Sequence, residues 1–166
     1  LPSISSLFDY EDMRGASDSF ALKKKHHNEK LLNQITNQNI DIKEEIIFLE
    51  RIRYEYLGSQ NFLGIKRNIQ SKWIKRLESI KLKKQSDLLD LLLFTLTHFF
   101  LDASNGKIWI KKNEYLKKIS TKENHLKIYE YLINFIEVID NQKLFANNSI
   151  ELLRLIFLQH VFRHLD

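Results

Sequence analysis

The sequence predicts an all-α fold, a bundle of five or six helices preceded by an extended N-terminal segment. The 166 residues include only four Gly and one Pro, and strand-rich chains need more of both for their turns. Apolar residues also recur at helical spacing along most of the chain, and their 43% share is sufficient for a folded core. We predict a single helical domain over residues 20–166, because a chain of this length forms one core.

The first 19 residues are predicted to form an extended, acidic and aromatic tail. They contain five Ser and lack helical periodicity, and acidic residues alternate with apolar ones at positions 8–13. A solvated tail is one interpretation, because chain ends are often poorly ordered. The alternative is a docking segment that lies on the chain's own basic helix or on a partner, through the candidate interaction residues Phe8, Tyr10 and Met13.

An apolar stripe with steps of three, four and seven residues runs from Leu31 to Tyr56. This spacing predicts amphipathic helix. The polar stretch around residues 37–39 predicts a break, so the alternatives are two helices or one long bent helix. Asp18 or Ser19 is predicted to cap the beginning of the helical region, and Gly58 to cap the end of the stripe.

Residues 58–64, "GSQNFLG", are predicted to be the turn of a helical hairpin that leads into a helix over 65–83. They are not a phosphate-binding loop. Five residues separate the two glycines instead of four, and no Lys-Ser or Lys-Thr pair follows them.

Two segments concentrate the positive charge of the chain, whose net charge is +5. Residues 65–84 contain eight basic side chains and one acidic one, and residues 107–127 contain seven Lys and two Glu. On a helical projection Trp73 is central to an apolar stripe, so we predict that it packs and does not stack on bases. The candidate surface for nucleic acid or an acidic partner consists of Arg67, Lys72, Lys75, Lys81, Lys107, Trp109, Lys111, Lys112, Lys117 and Lys118.

Two further helices, 86–102 and 149–165, are predicted to be apolar around most of their circumference. The apolar run from Leu88 to Leu101 is shorter than the roughly 20 residues that cross a bilayer, so no membrane span is predicted. A small domain does not easily cover two such helices. We therefore predict a protein partner or a second copy, with candidate contacts at Phe157 and Phe162.

The sequence contains no recognisable catalytic constellation. It has no Cys, which excludes disulfides, thiolate catalysis and Cys-ligated zinc. His160 and His164 have zinc-ligand spacing, but no Glu follows the first His as it does in zinc proteases. The carboxylate pairs at 44–45 and at 87 and 90 have explanations as solvated or capping residues. We predict no metal, no cofactor and no enzymatic activity.

The predicted function is that of a non-enzymatic interaction or scaffold module from a larger protein or a multi-subunit complex. The alternative is a nucleic-acid-binding helical domain that uses the basic segments 65–84 and 107–127. The chain begins at Leu1 and has its only Met at position 13, so we expect a piece of a longer protein. No signal peptide is recognisable, which favours an intracellular location without separating nucleus from cytoplasm.

Overall fold

The computed structural model describes residues 4–81 and 122–163 of the chain. Within these ranges it contains six α-helices and one 3₁₀ helix and no strand, which confirms the all-α prediction. The helices are α1 (Ile4–His26), α2 (Glu29–Asn37), the 3₁₀ helix (Ile40–Ile42), α3 (Lys43–Ser59), α4 (Leu63–Lys81), α5 (Lys122–Glu137) and α6 (Gln142–Arg163).

Helix α3 lies at the centre of the described part and contacts α1, α2, α4 and α6. The apolar stripe predicted for this region is buried at Ile42, directly before α3, and along the helix at Ile46, Leu49 and Ile52. Because other helices surround α3, burial extends beyond this stripe to charged side chains on the same helix.

The predicted break between residues 37 and 39 is present, and it separates two helices. Helix α2 ends at Asn37, and a 3₁₀ turn leads into α3. Asn28 begins α2 as an N-cap, with its side-chain oxygen accepting a hydrogen bond from the Leu31 amide at 3.2 Å.

The N-terminal segment is helical, which corrects the prediction of an extended tail over residues 1–19. Helix α1 continues through Asp18 and Ser19, so neither residue caps it. Its inner face is formed by Gly15, Ser19 and Leu22, all of which are buried. Two of these three residues are small or polar, so the sequence did not show the apolar periodicity expected of a packed helix.

Two glycines allow α1 to approach its neighbours closely. A Cβ atom at Gly58 would lie 2.0 Å from Cδ2 of Leu22, and a Cβ atom at Gly15 would lie 2.9 Å from the carbonyl oxygen of Asn68. Gly58 lies inside α3, and none of the described glycines has a positive φ. The prediction that Gly58 caps the helix is therefore wrong, because a close helix crossing is what requires glycine there.

Helices α5 and α6 form an antiparallel hairpin through a short turn. Asn141 caps α6, with its side-chain oxygen 3.1 Å from the amides of Lys143 and Leu144. This helix therefore begins at Gln142, seven residues before the predicted start. The rings of Phe135 and Phe145 pack with their centroids 4.7 Å apart.

None of the helices in the described ranges is long and apolar enough to cross a membrane. The predictions for the apolar helix 86–102 and for the basic residues at 107–118 lie outside the described residues. The division of the chain into a tail and one domain stays a prediction.

Candidate functional site

Three charged side chains of α3 are buried in the interior of the described part. Glu50, Arg53 and Glu55 expose 2%, 1% and 1% of their surface. Removing a charge from water is costly unless a partner compensates for it. The partners divide into two groups. We call them the Glu55 cluster (Ser19, Arg51, Glu55, Lys72 and Trp73) and the Arg53 cluster (His27, Glu29, Glu50 and Arg53).

In the Glu55 cluster one carboxylate accepts hydrogen bonds from three helices. Lys72 Nζ lies 2.6 Å from Oε1 and Arg51 Nε lies 3.0 Å from it. The Ser19 hydroxyl donates to the same oxygen, and the Trp73 indole N–H donates to Oε2. Since Ser19 is on α1 and both Lys72 and Trp73 are on α4, Glu55 connects these two helices to α3.

The surroundings of Glu55 favour its ionised form. Burial alone raises the pKa of this carboxyl, but the nearby Lys72 ammonium and the hydrogen bonds from Lys72 and Ser19 outweigh burial, so the net pKa is lowered. A general base works best when its pKa lies near the working pH. Glu55 is therefore suited to holding the helices together and poorly suited to proton transfer.

Trp73 is a packing anchor, as the sequence predicts. Its side chain is buried, and the ring of Phe48 meets it edge-on at a centroid distance of 5.4 Å. The cationic groups of Arg51 and Lys72 lie 5.6 and 5.2 Å from its ring centroid. Both distances are within the range of cation–π attraction.

The Arg53 cluster connects the end of α1, helix α3 and the turn before α6. Arg53 donates from Nε and Nη2 to the two oxygens of Glu50, at 2.7 and 2.9 Å. Its Nη1 donates to the carbonyl of Ile139 at 3.1 Å, and its Nη2 also donates to the carbonyl of His26. This bidentate pair is the strong form of an Arg–carboxylate interaction.

His27 lies between two carboxylates with its ring almost completely buried. Its Nδ1 is 2.8 Å from Glu50 and its Nε2 is 3.1 Å from Glu29. Which of the two ring nitrogens donates depends on the tautomer of the imidazole. Beside it, the Gln142 side chain accepts from the Asn28 amide at 2.7 Å and donates to the Asn28 carbonyl at 3.0 Å.

The predicted site residues do not assemble into one site in the described part. Tyr10 and Met13 are exposed on α1, and Arg67 is exposed on α4. Lys72 pairs with buried Glu55, so it does not belong to a free cationic surface. The side chains of the other candidates lie outside the described residues, namely those of Phe8, Lys75, Lys81, Phe157 and Phe162 together with Lys107, Trp109, Lys111, Lys112, Lys117 and Lys118.

Sequence reasoning missed the buried charges of α3. The signal was the segment "ERIRYE" at 50–55, where four charged residues interrupt an apolar stripe. Charges at consecutive turns of a helix usually indicate a solvated face. Such a face becomes buried only when several neighbouring helices pack against it.

A cleft of about 410 Å³ lies beside α5, lined by Lys127, Glu130, Tyr131 and Asn134. Partial burial of the Tyr131 hydroxyl raises the pKa of this side chain, and the negative charge of nearby Glu151 raises it further.

Within residues 4–81 and 122–163, no group of three or more His, Asp or Glu side chains is arranged to hold a metal ion.

The first 96 residues match the model of one protein family, described as "Cobalamin biosynthesis protein CobT". The match spans more than half of the chain and contains α1 to α4, with every side chain of both clusters. No curated protein and no solved structure matches the chain.

The family match contradicts three predictions made from the sequence. A non-enzymatic interaction or scaffold module, a nucleic-acid-binding domain and the absence of enzymatic function are all wrong, because the match indicates a function in the enzymatic synthesis of cobalamin. The count of cations on α4 was also misleading about nucleic acid, since Lys72 is bound to a buried carboxylate of the same domain.

Proposed function

The chain belongs to the family of the cobalamin biosynthesis protein CobT, and we propose that it forms a helical part of an enzyme that makes cobalamin. The observation that carries this proposal is the continuous match over residues 1–96. The matched range contains the whole of α1, α2, α3 and α4. Helices α1, α2 and α4 each contact α3, so the four helices pack as one unit.

The two ion clusters support a role for this unit as a rigid part of that enzyme. Each buried carboxylate has several polar partners. Glu50 accepts from Arg53 and lies 2.8 Å from His27 Nδ1, and Glu55 accepts from four N–H or O–H donors on three helices. Groups held in this way keep helices at a fixed distance and orientation. We therefore assign no proton-transfer step to Glu50 or Glu55.

We also propose an intracellular location and at least one protein contact for this chain. A biosynthetic enzyme acts on metabolites that are made inside the cell, which supports the location predicted from the sequence. The contact is proposed from exposed apolar side chains on α1, of which Tyr10 and Met13 are two.

Deletion of the gene that encodes this chain, in a bacterium that makes its own cobalamin, tests the proposed function. We expect cobalamin, measured by mass spectrometry of cell extracts, to fall to background and to return when the gene is supplied on a plasmid. Unchanged cobalamin in the deletion strain would contradict the proposal.

The precursor that accumulates in the deletion strain identifies the step. A matched pair of variants separates the effect of the buried cluster from general tolerance to mutation: Glu55→Gln changes a buried ion cluster, whereas Glu137→Gln changes an exposed carboxylate outside both clusters. We expect Glu137→Gln to restore cobalamin fully. Failure of both the wild-type gene and this control to restore it would show that the deletion phenotype arises elsewhere.

A further inference from the structure

We draw no further inference here: the strongest candidate, the exposed apolar face of α1 at Tyr10, Met13 and Phe20, carries no proposal because nothing in the described part of the structure shows what covers it.

Discussion

Glu55 is a carboxylate whose four hydrogen-bond donors come from α1, α3 and α4. Its interaction with Lys72 is worth little as a net gain over an apolar core, because desolvating both charged groups is costly. Removing the carboxylate has a larger effect, because the ammonium of Lys72, whose side chain is 14% exposed, then stays largely buried without its counter-charge. The domain is therefore expected to be sensitive to substitution of Glu55.

Replacing Glu55 with Gln is expected to lower the free energy of unfolding by about 3 kcal/mol, since the largely buried Lys72 loses its counter-charge. Urea unfolding followed by circular dichroism measures the change. Glu137→Gln is the control, because its carboxylate is exposed and lies outside both clusters, and such surface substitutions usually change stability by less than about 0.5 kcal/mol. Equal effects of the two substitutions contradict the importance assigned to burial.

Acid should remove the contribution of Glu55 to stability. Because the pKa of this carboxyl is lowered in the folded state, the folded protein binds the proton less readily than the unfolded chain does. The stabilisation is complete above the ordinary carboxyl pKa of 4.5 and is lost as the pH falls through the folded pKa. The stability difference between wild type and Glu55→Gln is therefore expected to be constant from pH 7 to 5 and to shrink below pH 4.5. A difference that stays constant down to pH 3 contradicts this assignment.

At the scale of elements, α1 is held against its neighbours by close crossings and not by a large apolar face. Gly58 meets Leu22 at the contact of α3 with α1, and Gly15 meets Asn68 at the contact of α1 with α4. Asn68 adds a hydrogen bond of 2.7 Å to Asp18. The packing of this helix therefore depends on small residues at two points.

Alanine substitutions at three helical glycines are expected to change the free energy of unfolding in different directions. Gly58→Ala and Gly15→Ala are each expected to destabilise the fold by about 1–2 kcal/mol, since overpacking outweighs the gain in helix propensity. Gly64→Ala, in the first turn of α4 with no atom within 4 Å of the added methyl, is expected to stabilise by about 0.5 kcal/mol. Thermal unfolding of the three variants measures these effects. If all three substitutions change the stability in the same direction, close helix crossings at Gly15 and Gly58 do not explain why these positions are glycine.

At the scale of the whole molecule, the matched helices and the C-terminal hairpin are joined by polar contacts around the end of α1. Arg53 reaches the carbonyl of Ile139, and Gln142 exchanges two hydrogen bonds with the backbone of Asn28. Contact between α3 and α6 adds the apolar part of this interface.

Removing the Gln142 side chain is expected to loosen the hairpin without unfolding the rest. Gln142→Ala is expected to cost about 1–2 kcal/mol, because it removes the acceptor of the Asn28 amide and one of the two donors to the Asn28 carbonyl. Hydrogen exchange followed by mass spectrometry should show faster exchange in α5 and α6 and unchanged exchange in α3. Asn147→Ala, at an exposed position of α6, is the control. Faster exchange throughout the chain contradicts a local effect.

Much of the helical architecture could be predicted from the spacing of apolar residues along the sequence. The buried ion clusters could not be predicted in this way. The stripe of α3, the break after Asn37 and the burial of Trp73 were predicted, because apolar spacing and helix-breaking residues act within a few neighbouring turns. Helix α1 was missed, since Gly15 and Ser19 occupy buried positions where apolar residues are expected. The Glu55 cluster was missed because its members are as far apart in sequence as Ser19 and Trp73.

By itself, the sequence determined that this protein is all-α and that the apolar stripe of α3 and Trp73 belong to its core, since helix periodicity and the scarcity of Gly and Pro are local properties. Only the tertiary structure decided which charges are buried. Glu50, Arg53 and Glu55 look like a solvated face until α1, α4 and α6 close around them. The cost of burying a charge depends on partners brought from distant segments, and no local pattern contains that information.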